Sequence, residues 1–128
     1  MSATYIKPTE SELEILQELW SMGPSTVREV NDRLSENKEV GYTTTLKLMQ
    51  IMTDKGLVSR DTSRRQHIYS AVIKEDEVQK NMLKRMVKSA FHGSVSSLVM
   101  QALGNHNASQ EELDEIKALI EQIESNQK

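Results

Sequence analysis

A chain of 128 residues with 37% apolar and 27% charged side chains is long enough to bury a core of its own. It should form one domain, or one domain with a small appendage. It has no cysteine, which excludes a disulfide framework, a thiolate metal site and a cysteine nucleophile. The formal net charge of −3 argues against a nucleic-acid partner only until it is resolved along the chain. Residues 1–41 carry −4, residues 42–74 carry +4, residues 75–103 carry +1 and residues 104–128 carry −4. The positive charge is thus gathered in one window, and such a local patch is the relevant electrostatic footprint. No basic-then-apolar leader opens the chain, so no signal peptide is expected. The longest uncharged run, Ser89 to Gln110, holds nine apolar residues among 22, too few to span a bilayer. We therefore expect a cytoplasmic protein. Seven Met against one Trp, three Tyr and one Phe point to an aliphatic, adaptable core.

The first apolar periodicity is Leu13, Leu16, Leu19 and Trp20, with Ile15 beside it, which is helical spacing. Thr9 with Glu12 three residues on predicts a capping box at its start, and Gly23-Pro24 ends it. Thr26 with Glu29 repeats the capping pattern for a second helix whose inward stripe is Val27, Val30 and Leu34. After a polar break at 37–41, Tyr42-Thr43-Thr44 opens a third helix with Thr45, Leu48, Met49 and Met52 inward; Lys55-Gly56 stops it. The period then changes. Residues 57–60 and 67–72 read as two short strands around the polar, basic loop 61–66.

Three helices followed by a hairpin with a basic tip form the winged helix-turn-helix arrangement, with the third helix as candidate reader. From residue 75 the chain reads as helical to its end. Val78, Met82, Leu83, Met86, Val87 and Ala90 form one apolar stripe; Val95, Leu98, Val99, Ala102 and Leu103 form a second. A last helix starts near Ser109, where Ser109 and Glu112 make a third capping pattern, and carries Leu113, Ile116, Leu119, Ile120 and Ile123. Such stripes need a partner, and a second copy of the chain is the simplest one. The expected architecture is mainly α with a small β-hairpin wing: a winged helix domain over residues 1–74 and a helical dimerisation region over 75–128. The expected dimer residues are Leu83, Val87, Val95, Leu98, Val99, Leu103, Leu113, Ile116 and Ile120.

A helix that reads the major groove needs short polar and cationic side chains on its open face. Thr43, Thr44, Lys47 and Gln50 lie at helical spacing opposite the inward residues. Leu46 and Ile51 fall towards the same open side, where Leu46 could contact a thymine methyl and Ile51 could equally pack under the wing. The alternative for this set is an ordinary solvated face. Arg64 and Arg65 suit a wing tip that holds phosphates or enters a narrow minor groove; the alternative is a hairpin edge kept soluble by charge. Thr26 and Arg28 open the second helix, where free N–H groups can accept a phosphate; the alternative for Thr26 is a plain N-cap. Catalysis has no support. His67, His92 and His106 lack ligand spacing, no Gly-rich phosphate loop is present, and no Ser–His–acid set stands out. No metal and no cofactor are expected. Two other functions compete with DNA binding: a winged-helix protein–protein module without DNA contact, and a small metal-dependent regulator.

Beyond these local readings, Thr9, Glu12, Ile15, Leu16, Leu19 and Trp20, followed by Thr26-Val27-Arg28-Glu29-Val30, resemble the opening of the penicillinase and methicillin-resistance repressors (the BlaI/MecI type, with the copper repressor CopY). The run Gly41-Tyr42-Thr43-Thr44-Thr45, then Met49, Met52 and Lys55-Gly56-Leu57-Val58, is similar to that family's recognition helix and first wing strand. Phe91, Gly93, Ser94, Ser97-Leu98-Val99 and Ser109-Gln110-Glu111-Glu112-Leu113 resemble its C-terminal arm. The likeness is collinear over nearly the whole chain. It implies a homodimeric repressor that binds a near-palindromic operator in double-stranded DNA. Thr43, Thr44, Leu46 and Lys47 are then its reader residues. Family members often have Arg where this chain has Leu46, so the operator sequence does not carry over. In the antibiotic-resistance members a membrane-bound sensor protease system leads to cleavage at an Asn–Phe pair in the arm; Gln101-Ala102 stands at the corresponding positions. The copper-responsive branch uses Cys-x-Cys motifs, which a chain without cysteine lacks.

Overall fold

A computed structural model describes residues 5–105 and 107–127. In chain order the elements are α1 (Glu10–Met22), α2 (Val27–Leu34), α3 (Tyr42–Lys55), β1 (Val58–Asp61), β2 (Ile68–Ala71), α4 (Glu75–Ala90), α5 (Val95–Asn105) and α6 (Gln110–Asn126). The chain divides into two compact units between Met82 and Leu83. The division comes later than the composition break at residue 74, because Val78 on the first turns of α4 is buried at 1% exposure.

In the first unit, both expected capping boxes form. Thr9 and Thr26 each accept the N–H of the residue three ahead, and Glu12 and Glu29 reach back to the cap N–H. These local closures set where α1 and α2 begin. Their apolar stripes then meet: Ile15, Leu16 and Leu19 of α1 pack with Val27 and Val30 of α2 and with Met49 and Met52 of α3. Leu57, Val58 and Tyr69 complete the cluster from the hairpin side. The core is mainly aliphatic with two methionines, as the composition predicted, but its largest buried side chain is the aromatic Tyr69. Each such side chain contributes roughly 1.5–3 kcal/mol on full burial.

Helix α3 ends at Gly56, whose φ of 82° and ψ of 13° lie in the left-handed region that favours glycine. The Gly56 N–H donates to Thr53 O and the Leu57 N–H to Met52 O, closing the last turn in the Schellman pattern. The chain leaves directly into β1. Strands β1 and β2 pair antiparallel with Val58 opposite Ala71 and Asp61 opposite Ile68. Strand β1 starts one residue later than the apolar pattern indicated, since Leu57 serves the helix cap. Tyr69, 1% exposed, pairs with Arg60 on one side and bridges to Ser25 on the other. Ser25 N–H donates to Tyr69 O at 3.0 Å and Tyr69 N–H to Ser25 O at 2.8 Å. This bridge fastens the wing to the segment that enters α2. The Trp20 indole N–H, donating to Ile73 O at 3.0 Å, ties α1 to the strand exit.

In the second unit, α4 closes on a turn in which Phe91 and Gly93 N–H both donate to Val87 O, with His92 and Gly93 at φ of 50° and 82°. The Ser94 hydroxyl accepts the Ser97 N–H at the start of α5, and Ser109 accepts the Glu112 N–H at the start of α6. No residue of α5 or α6 is buried. No helix among the described residues is long and apolar enough to cross a membrane.

Candidate nucleic-acid interface

The open face of α3 begins with what holds its other face. Thr45, Met49 and Met52 are fully buried. Thr45 is a polar residue there, and its hydroxyl accepts the Asn31 side-chain amide at 3.0 Å. The same amide donates to Val40 O at 2.9 Å, so one buried side chain of α2 grips both α3 and the turn leading into it. Asn31 sits four residues after Val27 on the inward stripe of α2. That position was the only trace of its role in the sequence. A polar residue on a buried face is a demand for partners.

With that roll fixed, Thr43, Thr44, Lys47 and Gln50 are all exposed on one side of α3, as their spacing predicted. Leu46 is placed differently from the expectation. It is half-buried and packed against the core, with one edge in a cleft, because the i, i+3 spacing from Leu46 to Met49 brings it onto the flank of the inward face. Thr26 also takes the capping role. Its hydroxyl accepts the Glu29 N–H and donates to Glu29 Oε1, so its polar atom is already occupied. Arg28, one turn-position further, is exposed and lies over the Tyr42 ring with its guanidinium carbon 5.0 Å from the centroid.

Across the cleft, the wing presents Arg64 and Arg65, both exposed. The Asp61 carboxylate accepts the Ser63 N–H at 2.9 Å and shapes the start of the loop. That hydrogen bond, with a smaller contribution from the charges of Arg64 and His67, holds the Asp61 carboxyl below its usual range. The cleft itself measures about 260 Å³ and is lined by α2, α3 and the wing, including Arg28, Tyr42, Leu46, Arg65 and His67. Tyr42, Gln66 and His67 were not singled out from the sequence. An exposed aromatic at the first turn of a helix, in a chain with few aromatics, was the available signal for Tyr42.

The charges of the first unit are sorted. Arg33, Lys38 and Lys55 are each paired with a carboxylate of α1, Glu18, Glu14 and Glu12 respectively, at 3.2, 3.0 and 2.8 Å. Arg28, Lys47, Arg64 and Arg65 form no ion pair among the described residues. The four cations beside the open face of α3 and on the wing are therefore available, whereas the three that carboxylates of α1 reach, Lys55 at the end of α3 among them, are neutralised. No group of three or more His, Asp or Glu able to hold a metal is found among the described residues. His106 lies outside them.

The nine apolar residues expected at a dimer contact are all in the second unit. Leu83, Val95, Val99, Leu103 and Ile120 are exposed, at 39% or more. Val87, Leu98, Leu113 and Ile116 are half-buried. Gln101 and Ala102 are exposed within α5, where the Gln101 side chain accepts from Asn105.

The family model described as "Penicillinase repressor" matches residues 8–122. Among curated relatives, the penicillinase repressor of Staphylococcus aureus is 22% identical over 123 residues, covering 96% of this chain and 98% of its own. The transcriptional regulator BlaI of Mycobacterium tuberculosis is 27% identical over 116 residues, covering 89% and 83%. Among solved structures, a MarR family protein from Bacillus stearothermophilus shares the fold at a TM-score of 0.51 and 17% identity, over 95% of this chain and 76% of that one. The architecture is that of winged-helix regulators, and the sequence match extends through the helices beyond the wing. The chain belongs to the penicillinase repressor family, and is a DNA-binding transcriptional repressor rather than an enzyme.

Proposed function

We propose that the protein acts as a homodimer on an operator with two half-sites, α3 of each copy lying in the major groove. Thr43, Thr44, Lys47 and Gln50 contact base edges, Leu46 bounds the reading face on its wing side, and Arg28, Arg64 and Arg65 contact the backbone. The observation that carries this reading is that Arg28, Lys47, Arg64 and Arg65 are unpaired beside the open face of α3, while Arg33, Lys38 and Lys55 are held by carboxylates of α1. The exposed apolar stripes of the second unit support dimerisation through that unit, since large open apolar surface is unfavourable in water. A two-fold pair of reading helices addresses half-sites about 34–36 Å apart, or a small multiple of that. Acting on operator DNA, the protein works in the cytoplasm. Release by a sensor protease at Gln101-Ala102 does not form part of this reading, because that pair differs from the family's Asn–Phe and sits inside a helix.

The test is a mobility shift of the full chain on its own upstream DNA across a range of salt. A saturable shift at two chains per site that weakens steeply with salt is expected. A salt-insensitive or absent shift on both upstream and random-sequence duplex would overturn the DNA reading.

A further inference from the structure

Between α2, α3 and the wing lies the cleft of about 260 Å³, and its walls carry Arg28 from one element and Arg65 from another. Neither makes an ion pair among the described residues. Both line the same cleft, so an anion seated there would be attracted to two positive charges supplied by different elements. Arg28, although exposed, has an aromatic neighbour that favours one placement of its guanidinium. The Tyr42 ring lies under its guanidinium at 5.0 Å to the centroid, close enough for cation–π attraction. Arg28 has five N–H donors and no carboxylate partner, so donors remain for the paired hydrogen bonds that a guanidinium forms to phosphate oxygens.

We propose that this cleft seats one phosphate of the DNA backbone between Arg28 and Arg65, and that Tyr42 is a positioning residue which holds Arg28 ready for it. The inference rests on the DNA-binding reading above and adds a residue to it. Tyr42 needs no contact with DNA in this role. Its contribution is to reduce the conformational freedom that Arg28 loses on binding. A backbone contact carries no sequence information, so it acts equally on operator and on random DNA.

The experiment measures affinity of the full chain for a random-sequence duplex as a function of salt, with each variant's fold checked by its thermal melt. Arg28→Ala should reduce the log–log salt slope by about 1.8, that is about 0.9 for the one phosphate lost by each copy of the homodimer. Tyr42→Leu should weaken binding by about 2- to 5-fold for each copy of the homodimer, and Tyr42→Phe, which keeps the ring, should bind as wild type. In an Arg28→Ala background, Tyr42→Leu should have no further effect. Lys38→Ala, removing a cation already paired with Glu14, serves as the control and should leave the slope unchanged. The proposal is overturned if Tyr42→Leu costs as much without Arg28 as with it, which would make Tyr42 a direct contact. It is also overturned if Arg28→Ala leaves the slope intact while Arg64→Ala lowers it; the DNA reading then survives. Absence of salt-sensitive binding by the wild type would sink both.

Discussion

Glu12 is only 2% exposed, yet its carboxylate is well partnered: it accepts the Thr9 N–H at 2.9 Å and the Lys55 ammonium at 2.8 Å and 3.0 Å. Burial alone would raise its pKa. The hydrogen bond and charge of Lys55, with the Thr9 N–H, outweigh burial and hold the carboxyl below its ordinary value of 4.5. A carboxyl depressed by folding stabilises the protein above its unfolded pKa, and that stability is lost as pH falls through the folded value. Glu12→Gln should therefore be less stable than wild type at pH 7 by about 1–2 kcal/mol, and the gap should close below pH 4.5. Urea unfolding at stepped pH reads this directly; a gap that persists at low pH would contradict it. Asn31 makes a second prediction at this scale. Asn31→Ala removes the donor to the buried Thr45 hydroxyl and the shorter of two donors to the Val40 carbonyl, which keeps the Ser35 hydroxyl at 3.3 Å, and should cost about 1–3 kcal/mol in unfolding. A neutral result would mean that the grip on α3 lies elsewhere. Neither role was legible in the sequence beyond the capping pattern of Glu12, because both depend on residues 43 and 14 positions away in the chain.

At the scale of elements, α3 has two jobs on two faces. Its inward face is held by Met49, Met52 and the Asn31–Thr45 hydrogen bond, and its outward face is left open, polar except for Ile51 at 38% exposure. Thr44→Ala combined with Lys47→Ala should leave the melting temperature near wild type. The same pair should weaken operator binding by about 1–3 kcal/mol for each base edge that goes unread. Binding to random DNA should fall less, since Thr44 adds no phosphate charge. Equal operator affinity would remove α3 from the reader role. The limits of α1, α2 and α3 were readable from capping boxes and from Gly56 because those signals act within a few residues. The flank position of Leu46 and the stacking of Tyr42 on Arg28 were not, since both follow from how α2, α3 and the wing are packed.

For the whole molecule, the central expectation is that the second unit completes its burial only against another copy. Leu98 is half-buried in a single chain, on a helix with no buried residue at all. Leu98→Asp should convert a dimer to a monomer in sedimentation experiments, because a charge placed in an apolar interface is left unpaired. The first unit should keep its own melt. Operator affinity should fall far more than affinity for a single half-site, as linkage of two reading heads is removed. A dimer that survives Leu98→Asp would move the interface to another stripe.

The order and type of the elements, the basic window and the family can be read from the residues in line, because capping, periodicity and turn residues are local and the family's motifs are collinear. Which cations remain available follows instead from the packing of the helices. Glu12, Glu14 and Glu18 lie on one helix, and which basic side chains they reach depends on how α2 and α3 fold back onto it. Charge pairing of this kind is a matter of distances of a few ångströms in space, and no spacing along the chain encodes it.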